Sequence, residues 1–245
     1  DLDRVKVWSD DIALFIGTAQ VAGNKYLRAE AGAKAMAGYF SGLVEDRTRT
    51  PRADMISQLV LARDDRDALS TDEIIGTCIL LLFAGHETTT NLIGNGFLYS
   101  MKHRDQWERL VAEPALAAGA VEEYLRYDGP SGAFARVAAA DVEMAGKTIR
   151  EGQRVFAFMN SANRDPEAFD DPDRFDIGRA QNPHMTFGHG IHFCLGAPLA
   201  RLEGEIAAAR LSERLPRIQL LGGEPDWHDS LILRGVKKLP IVLDR

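Results

Sequence analysis

Residues 187–196 read Phe187-Gly188-His189-Gly190-Ile191-His192-Phe193-Cys194-Leu195-Gly196. Three glycines bracket a lone cysteine, and a helical pattern over 197–215 follows at once. Gly188 and Gly190 allow positive φ and close approach of the backbone. Such a loop can aim main-chain N–H groups at one sulfur, and the next helix sets its positive dipole end beside it. Both effects favour thiolate over thiol, as a cysteine that keeps a soft metal requires. A plainer reading is a buried structural cysteine in a glycine-rich turn. A zinc set drawn from His184, His189, His192 and Cys194 is a further alternative, although the spacing fits neither C-x-x-C nor H-x-x-x-H ligand pairs.

Beyond the loop, apolar runs at 219–221, 231–233 and 240–243 predict terminal strands. Before it, 164–183 is a loop rich in Pro and Asp, with Phe169 and Phe175 as anchors. A connection that long without its own elements is usually functional. From Phe134 to Met159 short apolar runs broken by Gly146 and by Glu151-Gly152 predict two or three short strands. The chain up to 128 is helical in pattern. A helix over 27–47 carries Met36, Tyr39, Phe40, Leu43 and Val44, and Pro51 closes it. Asp54 caps a short helix at 55–62, and Ser70-Thr71-Asp72-Glu73 is a capping box opening a helix to about residue 102. Helices at 105–112 and 115–127 follow, the second ended by Gly129-Pro130. Residues 74–84 are apolar nearly all round, which predicts that the long helix crosses the interior. The expected class is mainly α with small β-sheets (α+β), as one domain over 1–245 with a helical part, 1–128, and a mixed part, 129–245.

Of the 245 residues 45% are hydrophobic and 27% charged, which excludes disorder and fibrous repeats. Acids outnumber bases 36 to 29, so a nucleic-acid partner is not expected. Two cysteines, Cys78 and Cys194, cannot form a disulfide framework and point to a reducing compartment. The apolar run 74–85 stops at His86-Glu87, short of the roughly 18 residues of a membrane span. The chain opens on Asp1, already in helical pattern and without a signal segment, so it is expected to be N-terminally incomplete.

Two further motifs carry chemistry. Ala84-Gly85-His86-Glu87-Thr88-Thr89-Thr90 places an acid and three hydroxyls in the middle of the apolar helix. Either they form a satisfied kink, or they line a groove for a small ligand where Glu87 and Thr88 move protons. Glu123 and Arg126 lie at i and i+3 on one helix face, and Arg174 of Pro172-Asp173-Arg174-Phe175 is expected to complete a charge network with Glu123.

Taken in order, these residues resemble the cytochrome P-450 family of bacterial haem-thiolate monooxygenases. The loop 187–196 matches its F-G-x-G-x-H-x-C-x-G haem-binding signature in full. Residues 84–88 resemble its oxygen-activation motif, and Glu123-x-x-Arg126 and Pro172-x-Arg174-Phe175 its two core ion-network motifs. The similarity runs through Ala200-Arg201-x-Glu203 and Leu233-Arg234-Gly235. It covers the family's C-terminal portion, including the long central helix; the N-terminal region, with its first strands and further propionate contacts, has no counterpart here.

The resemblance implies haem b with Cys194 as axial thiolate, in a loop shaped by Phe187, Gly188, Gly190 and Gly196. It implies His192 and Arg136 as propionate partners, and Thr88 and Glu87 as the alcohol–acid pair delivering protons. It implies that Gly85 leaves room for dioxygen. Leu81, Leu82, Ala84, Phe134, Ile232 and Leu233 are then substrate-lining, and Glu123, Arg126 and Arg174 structural. A cytoplasmic monooxygenase of a hydrophobic small molecule is implied, with electrons from a ferredoxin and its reductase docking near Cys194, where Arg201 contributes. A peroxide-using relative and a haem-free accessory chain are the alternatives. Glu87-Thr88 argues against the first, and the missing N-terminal region favours the second.

Overall fold

A computed structural model describes residues 2–17, 24–62 and 69–243. Contacts divide the chain into two units, 1–87 and 88–245, with the boundary inside one continuous helix. In the first unit lie α1 (Leu2–Gly17), α2 (Lys25–Arg49), α3 (Met55–Leu61) and the first half of α4 (Thr71–Lys102). Met36, Phe40 and Val44 recur every four residues on α2 and bury one stripe against Val60, Ile74 and Cys78. Gly32 lets α1 and α2 close together, because a Cβ there would lie 2.9 Å from the Trp8 carbonyl oxygen. Asp54 accepts from the Ser57 N–H at 2.9 Å and starts α3 as expected. The capping box forms in both directions: Ser70 N–H donates to Glu73 Oε2 (2.7 Å), and Glu73 N–H to Ser70 Oγ (3.2 Å).

Within this chain the most apolar part of α4 is covered on one flank. Ile74 and Cys78 are buried, but Leu80 on the opposite face is 62% exposed. The first unit's core covers one flank of 74–84 only. The well-buried part of α4 is its second half, with Asn91, Leu92, Asn95, Phe97 and Leu98. No described helix is long and apolar enough to cross a membrane.

That second half packs in the second unit with α5 (Arg104–Ala112), a 3-10 turn at Pro114–Leu116, α6 (Ala117–Asp128) and α8 (Ala197–Arg214). Trp107 is fully buried and its Nε1 donates to the Pro216 carbonyl at 3.0 Å. Phe175, an expected anchor, lies flat against Tyr124, with ring planes 3° apart. The other anchor, Phe169, is buried too. Three two-stranded antiparallel sheets complete the unit: β1 (Ala133–Val137) with β4 (Arg154–Phe158), β2 (Val142–Met144) with β3 (Lys147–Ile149), and β5 (Gln219–Leu220) with β6 (Ile241–Val242). Between β4 and α8 lie one helical turn, α7 (Met159–Ala162), and a long connection whose one short element is a 3-10 turn at Gly190–His192. The strand expected at 231–233 is reduced to a single bridge, Ser131 with Leu233.

Candidate functional site

The long connection is held by one buried ion pair. Glu123 and Arg126 are both 0% exposed on α6. Arg126 Nε and Nη2 donate to the two Glu123 oxygens at 2.7 and 2.8 Å. Its remaining N–H groups reach the carbonyls of Asn163 (3.0 Å), Pro172 (2.8 Å) and Arg174 (3.0 Å), so all five guanidinium donors are used. Glu123 also accepts from the Asp176 N–H (2.8 Å) and from Asn182 Nδ2 (3.2 Å). The second cation beside Glu123 is Arg179, at 3.4 Å and 11% side-chain exposure. This corrects the expectation for Arg174. Arg174 joins through its carbonyl, while its guanidinium is 61% exposed and faces Asp176 at 3.5 Å.

Asn163 carries the bracing onward. It donates to Thr186 Oγ1 (2.9 Å) and accepts from the Met185 N–H (2.7 Å), while the Thr186 hydroxyl donates to the Leu125 carbonyl (2.6 Å). The chain thus enters the cysteine loop from a fixed point. Gly188 and Gly190 stand at φ +75° and +63°. A Cβ on Gly188 would meet the His192 carbonyl oxygen at 3.3 Å, so the turn is built for glycine twice over. The Cys194 N–H donates to the Phe187 carbonyl at 2.9 Å, and Gly196 caps α8 two residues on. Cys194 is exposed, not a buried structural cysteine. Around it Ile191 (98%), Leu195 and Phe193 are also laid open.

Other expected residues gather here. A Cβ on Gly188 would come within 3.9 Å of the Phe134 ring. Phe134 and Arg136 are two apart on β1 and therefore share a face. The Gly132 N–H donates to the Ile232 carbonyl (2.8 Å) and Leu233 bridges Ser131, which sets both beside the start of β1. His192 ends the 3-10 turn and, like Arg136, is exposed. The histidines do not form a metal set with Cys194. His184 is turned to Glu122, and among the described residues no three His, Cys, Asp or Glu converge, which is against the zinc reading.

On α4, Leu81, Ala84, Gly85 and Thr88 fall in one stripe by helical spacing. A Cβ on Gly85 would meet nothing within 4 Å. Leu82 sits about 100° round from Leu81 and packs on the first unit's core. Glu87 is mostly buried. Its Oε1 lies 3.2 Å from His86 Nε2, whose Nδ1 is 3.0 Å from the Leu82 carbonyl oxygen.

A family model described as Cytochrome P450 matches residues 18–215. The chain belongs to the cytochrome P450 family. It is 41% identical over 246 residues to the biotin biosynthesis cytochrome P450 of Bacillus subtilis, covering 100% of this chain and 61% of that protein. It is 42% identical over 245 residues to the cytochrome P450 monooxygenase PikC of Streptomyces venezuelae, covering 98% and 57%. Its fold matches the crystal structure of P450BioI in complex with hexadec-9Z-enoic acid ligated acyl carrier protein with a TM-score of 0.93 at 40% identity, over 99% of this chain and 62% of that one. The chain thus spans about three fifths of the length of such P450s. Membership implies haem on a cysteine thiolate. The donors present fit that group: one exposed sulfur in a rigid turn, an apolar collar, an exposed arginine on β1 and an exposed histidine on the 3-10 turn.

One P450 cluster had no signal in the sequence beyond two adjacent glutamates. Glu122, beside Glu123, accepts from Arg201 Nε (2.6 Å) and Nη2 (3.1 Å) and from His184 Nε2 (3.0 Å). Arg201 is therefore paired, with its side chain 39% exposed. Burial opposes the charge on Glu122, but the hydrogen bonds from His184 and Arg201 and the Arg201 charge outweigh it and hold the carboxyl at about 2. The unfolded value is about 4.3. With the folded value the lower of the two, the stabilisation is complete above the unfolded value and is lost as pH falls toward the folded one. Denaturant unfolding of wild type and Glu122→Gln should therefore show a stability gap that narrows on acidification from about pH 5 to pH 2. A gap independent of pH would contradict this.

Proposed function

We propose that this chain is the haem-bearing part of a monooxygenase that inserts one oxygen atom of dioxygen into a C–H bond of a hydrophobic small molecule. The exposed Cys194, pinned through its N–H to Phe187 inside an apolar collar, carries the reading. Haem held by a cysteine thiolate supplies the electron push that favours O–O cleavage. The remaining work belongs to side chains. Cys194 supplies the thiolate. Arg136 offers positive charge to the propionates, and His192 offers a ring nitrogen. Phe134, Ile232 and Leu233 exclude water and present an apolar surface without an anchoring charge, and Leu81 and Ala84 offer apolar side chains on α4. Leu82, packed on the core, is left out of that surface. Thr88 holds a proton-bearing hydroxyl, and Glu87 relays protons to it. Electrons come singly from a ferredoxin and its reductase, and the setting is the bacterial cytoplasm, where both cysteines stay reduced.

The test is Thr88→Ala in the full-length enzyme with its redox partners. Were Thr88 only a helix residue, the change would be nearly silent, since Ala is the better helix former. In the proposed role the variant still binds substrate and consumes reduced cofactor, but releases hydrogen peroxide in place of hydroxylated product. The ratio of product to cofactor consumed should fall sharply, since a positioned proton-transfer group typically contributes about 10²–10⁴-fold to the step it serves. Thr89→Ala, rotated by about 100° on the helix, should do much less. Equal coupling in wild type and Thr88→Ala would move the role to another group. Turnover with peroxide alone, without the partners, would instead favour the peroxide-using reading.

A further inference from the structure

The Glu122 cluster stands under the cysteine loop and is not needed to hold it by sequence motif. Arg201 lies on the second turn of α8, the helix that starts at Ala197 just after Cys194. Its guanidinium sits over the Phe187 ring, 4.6 Å from the centroid. Phe187 is the residue whose carbonyl accepts the Cys194 N–H. Phe187 also touches His184 and Phe193, with ring centroids 5.8 and 6.2 Å away.

Hydrogen bonds tie His184 into the cluster from both sides of its ring. The Thr186 N–H donates to His184 Nδ1 at 3.4 Å. On its other side Nε2 donates to Glu122 Oε2 at 3.0 Å. Glu122 and Arg201 cancel, with both Glu122 oxygens engaged. His184 is almost wholly buried, so water screens this side of the cluster weakly.

We infer that Glu122 is a positioning and charge-balancing residue for the thiolate: it holds Arg201 over Phe187 and cancels its positive charge, and so sets the reduction potential of the haem on Cys194. This rests on the haem-thiolate reading above. The sign follows from electrostatics. Reduction adds one negative charge to the iron site. With Glu122 neutralised, Arg201 is uncompensated and stabilises the reduced form, so the potential rises. With Arg201 neutralised, the excess is negative and the potential falls.

The experiment is a redox titration of the haem-loaded full-length protein, each haem taking one electron from dithionite through mediators, with the carbonyl spectrum recorded alongside. Glu122→Gln keeps the size of the side chain but removes its charge and one of the two accepting oxygens. It should shift the oxidised–reduced equilibrium about tenfold toward reduced, or about 59 mV for one electron. Adding Arg201→Gln restores balance, and the double variant should return most of the way to wild type. If Glu122→Gln does not fold or load haem, Arg201→Gln alone should shift the equilibrium the opposite way. A normal red-shifted carbonyl band with an unmoved potential in the variant measured overturns this inference alone. So does a double variant whose two shifts add in one direction. A wild-type protein lacking that band overturns the haem-thiolate reading, and this inference with it.

Discussion

Cys194→Ser should abolish the strongly red-shifted carbonyl band of the reduced protein. The loop itself should survive the change. Its shape comes from Gly188 and Gly190 at positive φ and from the main-chain bond between Cys194 and Phe187, none of which involves the sulfur. What is lost is the donor, since an alcohol does not give up its proton where a thiol does. The second cysteine supplies an internal control. Cys78 is buried in the first unit's core, and burial pushes its thiol upward, away from thiolate. Cys78→Ser should leave the band unchanged. A normal band in Cys194→Ser would assign the ligand elsewhere.

Arg126→Ala should cost about 3–5 kcal/mol, the typical loss when one partner of a buried ion pair is removed. Five donors disappear at once. Glu123 keeps its burial but loses its bidentate partner, and the carbonyls of Asn163, Pro172 and Arg174 lose their donors. The expected product is misfolded or haem-free protein. Arg174→Ala offers the contrast. Its side chain is exposed and its contact with Asp176 is long, so about 0–1 kcal/mol is expected. Urea unfolding of both variants checks the pair. A stable, haem-loaded Arg126→Ala protein with only slowed turnover would mean that the network is not structural.

These two arginines also mark where the sequence stops being legible. Helical elements carry a period, so the capping box at Ser70 and the α2 stripe could be placed closely. The cysteine loop was legible because its glycines sit where only glycine fits. Within 163–182 there is no period. Nothing in the spacing tells Arg174, which turns outward, from Arg179, which turns in to Glu123. Adjacent glutamates present the same difficulty. Glu122 and Glu123 are one helical step apart, about 100°, yet serve different clusters built from residues about 60 positions away. At 74–84 apolar content is legible in a different sense. It reports that a stretch tolerates burial on every face, not that every face is covered, and Leu80 is not.

The saturation of Arg126 has a consequence for motion. Residues 163–176 have neither helix nor strand to hold them, and such a segment ordinarily fluctuates open on its own. Here three of its carbonyls share one donor group, and the Asp176 amide returns to the carboxylate paired with that group. To lift any one of them away is to expose an ion pair that is otherwise wholly dry. The segment is irregular in shape, yet it should open only with α6, on the slow clock of the helical core.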